Sequence, residues 1–406
     1  ELQGLEADAR ADLLRQGVAD SLVEMRGSAH VRLAGSDTTL ELPWQSADTL
    51  RVAFFEAHRQ LYGFADESAS LVIGSVMAEA IERVAAAAPH LASARGAVIA
   101  DAATPAASAS VWIEGASRIV PVVARRDLAP GDQLHGPLLL CEDGATSWIA
   151  PGWVGRVAPS GLVVLHRSQA ARSIAQRDAS ATEPDPMRLE VFNALFMHVA
   201  EQMGAVLRHT ASSVNIKERL DFSCAIFDAS ANLVANAPHM PVHLGSMGAS
   251  VAAVLDAFGD DTRPGDAYLV NSPYAGGTHL PDMTVVSPVF DEAGTRVEFF
   301  TASRAHHADV GGISPGSMPP DSRTIDDEGA LVAPTRIMRE GVLDDARLRQ
   351  LFCDNPWPAR NFPQNLADLR AQLAANARGE RELRRAAADH GGATLLAYMR
   401  HVQDNA

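Results

Sequence analysis

Between Ser173 and Pro186 the chain loses all periodicity. The segment SIAQRDASATEPDP is rich in Ala, Asp, Ser and Pro and carries no apolar run that a core could bury, so it joins folded units and belongs to the interior of none. At 406 residues the chain is long enough for two or three units, each with its own core. The expectation is a first region over 1–172, a linker over 173–186 and a second region over 187–406.

The first region reads as mostly β. A helix is expected over 1–17, then strands around His30, Arg32 and Thr38 to Leu42 with a hairpin at Gly35-Ser36-Asp37. Leu50, Phe54, Phe55, His58 and Leu61 recur at helical spacing and stop at Gly63, a C-terminal signal. Residues 70–88 are ambiguous. Strands are expected over 109–124, 133–141, 146–149 and 161–166, with turns at Pro130-Gly131 and Pro151-Gly152.

The second region mixes helices and strands. Leu189, Phe192, Leu195, Phe196, Val199, Met203 and Val206 mark a long amphipathic helix over 187–209. Strands follow over 223–228, 267–271, 284–290 and 297–302, and helices over 246–258, 344–352 and 365–387. The fold class expected is α+β or mixed α/β: a β-rich N-terminal domain followed by a mixed domain.

A formal charge of -16 opposes a nucleic-acid backbone, so nucleic acid is excluded as a partner. No run of about 18 apolar residues is present, and no membrane span is expected. Cys141, Cys224 and Cys353 form no CxxC pair and no even framework, which points to reduced thiols in the cytoplasm. The chain opens on Glu1 and closes in mid-helix, as an internal piece of a longer polypeptide would.

The chemistry concentrates between Lys217 and Gly316. Asn271 to Asp282 (NSPYAGGTHLPD) reads as a strand end, a Gly-Gly turn, then His279 and Asp282 three apart, able to converge on one cation. Arg304 to Gly312 (RAHHADVGG) adds His306, His307 and Asp309 after another strand. Two imidazoles and a carboxylate suit Zn, Mn or Fe, and the remaining acid could orient a ligand. Equally, His307 or Asp309 could cap a turn beside Gly311-Gly312.

His239 and His243 lie just before a helix expected to start near Ser246. Pro241 between them argues against one continuous zinc-binding helix, and both are substrate-site candidates or structural. On composition alone, Lys217-Glu218-Arg219-Leu220-Asp221 reads as a solvated charged turn. There is no P-loop, GxSxG or GxGxxG motif.

Five stretches, NIKERLDFSCAIFD from Asn215, HMPVHLGSM from His239, GGTHLPDMTVV from Gly276, SRAHHADVGGISPGSMPP from Ser303 and RNFPQNLADLRAQLAANARG from Arg360, resemble the hydantoinase B subunit in the version fused into 5-oxoprolinases. AHVRLAGSDTTLE from Ala29, HRQLYGF from His58 and IAPGWVG from Ile149 more loosely resemble the C-terminal part of hydantoinase A. The resemblance implies ATP-dependent opening of the lactam of 5-oxo-L-proline to L-glutamate, with 5-oxoproline or a related lactam or imide as substrate. An N-methylhydantoinase, an ATP-dependent ketone carboxylase and a non-catalytic scaffold are the alternatives. It further implies a divalent metal held by His279, Asp282 and His306, with His307 competing for the third place. Catalytic candidates are His239, His243, Asp309, Lys217, Arg219 and Asp221. ATP and Mg belong to an actin-like A region that this sequence lacks, and the complete protein would be a homo-oligomer. Leu33 and Ser272 depart from the family pattern, where an aromatic and a polar or acidic residue are expected.

Overall fold

The computed structural model describes residues 2–62, 65, 67, 69–83, 98–99, 107–113, 115–168, 182–316 and 318–406. Its largest sheet has seven strands in the order Leu233–Asn236, Phe222–Asp228, Val297–His306, Asp282–Phe290, Ala267–Val270, Thr335–Arg339 and Val342–Leu343. Every pairing in it is antiparallel. The central strands are buried almost throughout, because helices cover both faces and leave no polar side to alternate.

On one face, Phe192, Phe196 and Val199 of the helix Pro186–Thr210 and Leu383 of the helix Phe362–His390 pack with Ile226, Val289 and Phe299 of the strands. Tyr398 and Met399 of the helix Gly392–Asn405 complete that layer. On the other face, Met247, Val251 and Val254 of the helix Pro241–Phe258 pack on Phe227, Tyr268, Val286 and Phe300. The long helix starts where its sequence directs: Pro186 occupies the first turn, and the Asp185 carboxylate accepts from the Arg188 N–H.

Two helical expectations need correction. The helix placed near Ser246 begins at Pro241. A proline there costs nothing, since the N–H it lacks would have had no helical partner. His243 therefore lies in the first turn, with His239 outside it. The same helix, over Pro241–Asp261, is also apolar and long enough by composition to cross a membrane, which the sequence reading did not expect. Its buried Met247, Val251 and Val254 belong to the core facing the sheet.

The chain divides into one compact unit of Glu1–Ile81 with Thr182–Ala406 and a second of Glu82–Ala181. This differs from the expected 1–172 and 187–406. The first 81 residues group with the second half, and the junction falls within the strand Leu71–Glu82, where no loop composition signals it. Residues 173–181 of the expected linker, and the stop signal Gly63, lie outside the described residues.

Within 1–81, the sheet order is Leu40–Pro43, Val23–Leu33, Leu71–Glu82, and Leu50, Phe54 and Phe55 of the helix Ala47–Tyr62 pack on Ala29, Val31 and Leu42. The unit 82–181 holds two four-stranded sheets around Leu128, Leu134, Leu138, Leu140, Ile149 and Val157. The stretch 109–124 is a hairpin of Ala107–Ile113 and Ala116–Ala124 and not one strand, because Gly115 turns it at φ +77. The mixed architecture anticipated from periodicity is the one observed.

The strand Ala267–Val270 ends at Asn271, which is fully buried. Its amide donates to the Leu280 and Ala330 carbonyls at 2.7 and 2.8 Å and accepts from the Val332 N–H at 2.7 Å. Asn271→Ala leaves three buried main-chain groups unpaired, and at about 1–3 kcal/mol for each orphaned group it should lower the unfolding free energy in urea by roughly 3 kcal/mol or more. A midpoint equal to that of the parent would show that this amide does not hold the loop.

Candidate metal centre

Strand register decides which side chains meet. Asp282 pairs with His306 and Thr284 with Arg304, while Ser223 on the next strand also pairs with Arg304. Successive side chains alternate between faces. Asp282, Thr284, Arg304, His306 and Ser223 therefore point to the face covered by the helix Pro241–Phe258. His307, one residue further, turns to the opposite face under the helix Phe362–His390.

The glycine turn brings in the remaining histidine. Gly276 sits at φ +81, and a Cβ there would lie 2.3 Å from the Ser250 nitrogen; one on Gly277 would lie 2.0 Å from the Asn271 carbonyl oxygen. Only glycine lets the chain pass between helix and strand end at this closeness. Beyond the turn, His279 Nε2 lies 2.9 Å from Asp282 Oδ1 and 3.1 Å from His306 Nδ1, which is itself 3.0 Å from Asp282 Oδ1. The three ligand atoms lie within 4.8 Å of one another.

Further groups surround this triangle. The Thr278 hydroxyl donates to Asp282 Oδ2. Buried His243 places Nε2 3.5 Å from Asp282 Oδ2 and 3.8 Å from Asp221 Oδ1, and its Nδ1 is 3.1 Å from Ser223 Oγ. Asp221 Oδ2 is 3.9 Å from His306 Nδ1, and the Asp221 carboxylate, like the His279 ring, is part-exposed.

Burial works to raise the pKa of Asp282, but hydrogen bonds from His243, His279, His306 and Thr278 outweigh it and hold the carboxyl far below the usual range. The hydrogen bond to Asp282 in turn raises the pKa of His279 against its partial burial. Arg304, buried and with no ion pair among the described residues, is drawn down to about 10 by desolvation, partly offset by the charge of Asp282.

The donor set fits a divalent cation. With Asp282 ionised, two imidazole nitrogens and a carboxylate oxygen in mutual contact cannot all be satisfied by protons, because any arrangement leaves two lone pairs or two N–H groups face to face. A cation removes the conflict. Tetrahedral donors about 2.0–2.2 Å from an ion stand about 3.3–3.6 Å apart, a few tenths of an ångström more than the 2.9–3.1 Å separations here.

Other residues singled out in the sequence lie elsewhere. His307 is fully buried between Asn365 Nδ2, 3.1 Å from its Nδ1, and Gln372 Oε1, 3.1 Å from its Nε2, so it is a neutral imidazole bridging two core amides. Burial lowers its pKa. Asp309 accepts from the Arg360 main-chain N–H at 2.6 Å and from its guanidinium at 2.7 Å, tying a loop to a helix start. Lys217 is paired with Asp37, and Arg219 is exposed. His239 packs against Phe222, with ring centroids 4.8 Å apart and planes tilted by 58°, and its Nδ1 accepts from the Cys224 N–H at 3.2 Å; burial lowers its pKa. Sequence reasoning missed Ser223, Thr278 and Arg304. The signal for Ser223 and Arg304 was parity, since each shares the inward face of a strand with a chosen residue two positions away.

The chain belongs to the hydantoinase B/oxoprolinase family, whose model matches residues 185–406. The 5-oxoprolinase of Saccharomyces cerevisiae is 34% identical over 421 residues, covering 99% of this chain and 32% of that protein. The 5-oxoprolinase 1 of Arabidopsis thaliana is 35% identical over 417 residues, covering 98% and 32%. The chain thus spans about a third of the length of the curated relatives it matches. Among solved structures, the ATP-dependent caprolactamase of Pseudomonas jessenii superposes with a TM-score of 0.50 at 27% identity, over 55% of this chain and 38% of that one. The resemblance read from the motifs is borne out, and the similarity extends into the first region.

Divalent metal content measured by plasma mass spectrometry should fall at least about 10-fold below the parent in His279→Ala, Asp282→Ala and His306→Ala. His307→Ala should keep its metal and lose thermal stability instead, by about 2–4 kcal/mol, because two buried amides lose their partner. Loss of metal in His307→Ala with retention in His306→Ala would reverse the assignment.

Proposed function

We propose that this chain is the ring-opening part of an ATP-dependent 5-oxoprolinase, converting the lactam of 5-oxo-L-proline to L-glutamate. The observation that carries the reading is the convergence of His279, Asp282 and His306, in a chain 34–35% identical along its length to two 5-oxoprolinases. His279, Asp282 and His306 would hold a divalent ion such as Zn, Mn or Fe, with Asp221 beside them. When bound, such an ion supplies a Lewis acid that polarises a carbonyl oxygen and draws water toward ionisation.

The chain's own residues complete the site. Asp221, part-exposed and within 4 Å of both His243 and His306, is placed to accept a hydrogen bond from a water approaching the carbonyl. Ser223 fixes the ring of His243, whose Nε2 faces the carboxylates and can hold a proton for the leaving amide nitrogen. Asp309, Lys217 and Arg219 take no part in this arrangement, and His239 packs against Phe222, whose side chain lies on the opposite face of the sheet from Ser223. The A region that would bind ATP and Mg lies outside this chain. Phosphorylating the amide oxygen would break the resonance that protects a lactam from water. With Cys141, Cys224 and Cys353 all free, a reducing cytoplasm is the compartment we assign, and a homo-oligomer the state.

The test is ADP release by the intact protein with 5-oxoproline, caprolactam, N-methylhydantoin and acetone compared side by side. Stimulation by 5-oxoproline, with equimolar glutamate and an Asp282→Ala variant reduced by roughly 10³-fold or more, is expected. Stimulation by another of these compounds alone would move the substrate within the family. No stimulation by any of them would sink the enzymatic reading.

A further inference from the structure

The Arg304 side chain is fully buried, and among the described residues its hydrogen bonds go to neutral oxygens. Nε donates to Thr284 Oγ1 at 2.8 Å, Nη1 to Ser246 Oγ, and Nη2 to Ser250 Oγ at 2.8 Å and to the Gly276 carbonyl at 2.9 Å. A buried cation with no adjacent anion is costly, so its retention needs a reason beyond filling space.

The acceptors supply one. Thr284 lies two residues past Asp282 on the same strand. Ser246 and Ser250 lie on the helix whose first turn carries His243. Gly276 opens the turn that delivers Thr278 and His279. Arg304 itself stands two residues before His306 on the neighbouring strand, opposite both Thr284 and Ser223. One rigid, planar fork of donors thus touches every segment that carries His243, His279, Asp282 or His306.

We propose that Arg304 is a positioning residue of the metal centre, setting the separation of the helix, the glycine turn and the two strands from which the ligand atoms project. The proposal rests on the reading of the cluster as a metal site. Lysine cannot substitute, because a point charge with three donors on a flexible stem does not span acceptors fixed on three sides.

Metal-stripped protein, taken as the intact polypeptide, is titrated with Zn(II) by calorimetry and with Co(II) by visible spectroscopy, in the parent and in Arg304→Met, Arg304→Lys and Ser250→Ala. Both Arg304 variants should bind about 10–100-fold more weakly. At saturation their Co(II) absorption bands should also differ from the parent's in position or intensity, since the ligand atoms are displaced. A purely structural arginine would lower the thermal midpoint and leave those saturated bands unchanged. Ser250→Ala, which keeps the cation and three of its four hydrogen bonds, should move affinity and bands in the same direction by a smaller amount, and carries the test if the Arg304 variants fail to fold. Affinity within about two-fold of the parent together with parent-like bands would overturn the proposal while leaving the metal centre standing. A parent that binds neither ion would overturn the metal centre and this proposal together.

Discussion

The pairing of Asp282 with His306 across two buried antiparallel strands is the constraint on which the rest of the site depends. Because side chains alternate with a period of two, a slip of one residue between the strands would carry Asp282 and Thr284 to the face opposite Arg304 and His306 and bring Met283 in their place. The register is held against that slip from both sides. Helices Pro186–Thr210 and Phe362–His390 bury one set of residues and helix Pro241–Phe258 the other, so a one-residue slip puts charge into an apolar layer.

Much of this was legible in the sequence, and the limits were physical. Long helices were readable because their apolar stripes recur over many turns. The glycine turn was readable because Gly276-Gly277 before a histidine and an acid has few other uses. What could not be read was parity at strand ends. The extent of Val297–His306 was underestimated, and with it the means to choose between His306 and His307, whose side chains part only when the strand runs as far as the first of them. Nor can local composition show that the charges of Lys217 and Asp309 are answered by Asp37 and Arg360, far along the chain. Pro241 was weighed as a helix breaker, when at the first helical position it is a starter.

The site sits where a fully covered sheet meets its rim, and this sets its electrostatics. Asp282 is nearly shut off from water yet ionised, because four donors surround it. Such a carboxylate is kept for what it can bind, since a buried anion with no task would be more cheaply replaced by an apolar residue of similar size. Asp221, a strand away and part-exposed, remains open to water. Two carboxylates on one face thus differ in environment, one enclosed among donors and one within reach of solvent.

The division of the chain has a consequence for how the protein is made. Residues 1–81 complete their compact unit with residues from 182 onward, and the 100 residues between them form the second unit. During synthesis at about 5–20 residues per second, residues 1–81 leave the ribosome some 5–20 seconds before the first of their later partners. The unit 82–181, contiguous in sequence, meets no such delay. The unit 82–181 can therefore gather all its residues before residue 182 is made, whereas the unit that 1–81 shares with the later residues cannot be completed until they follow.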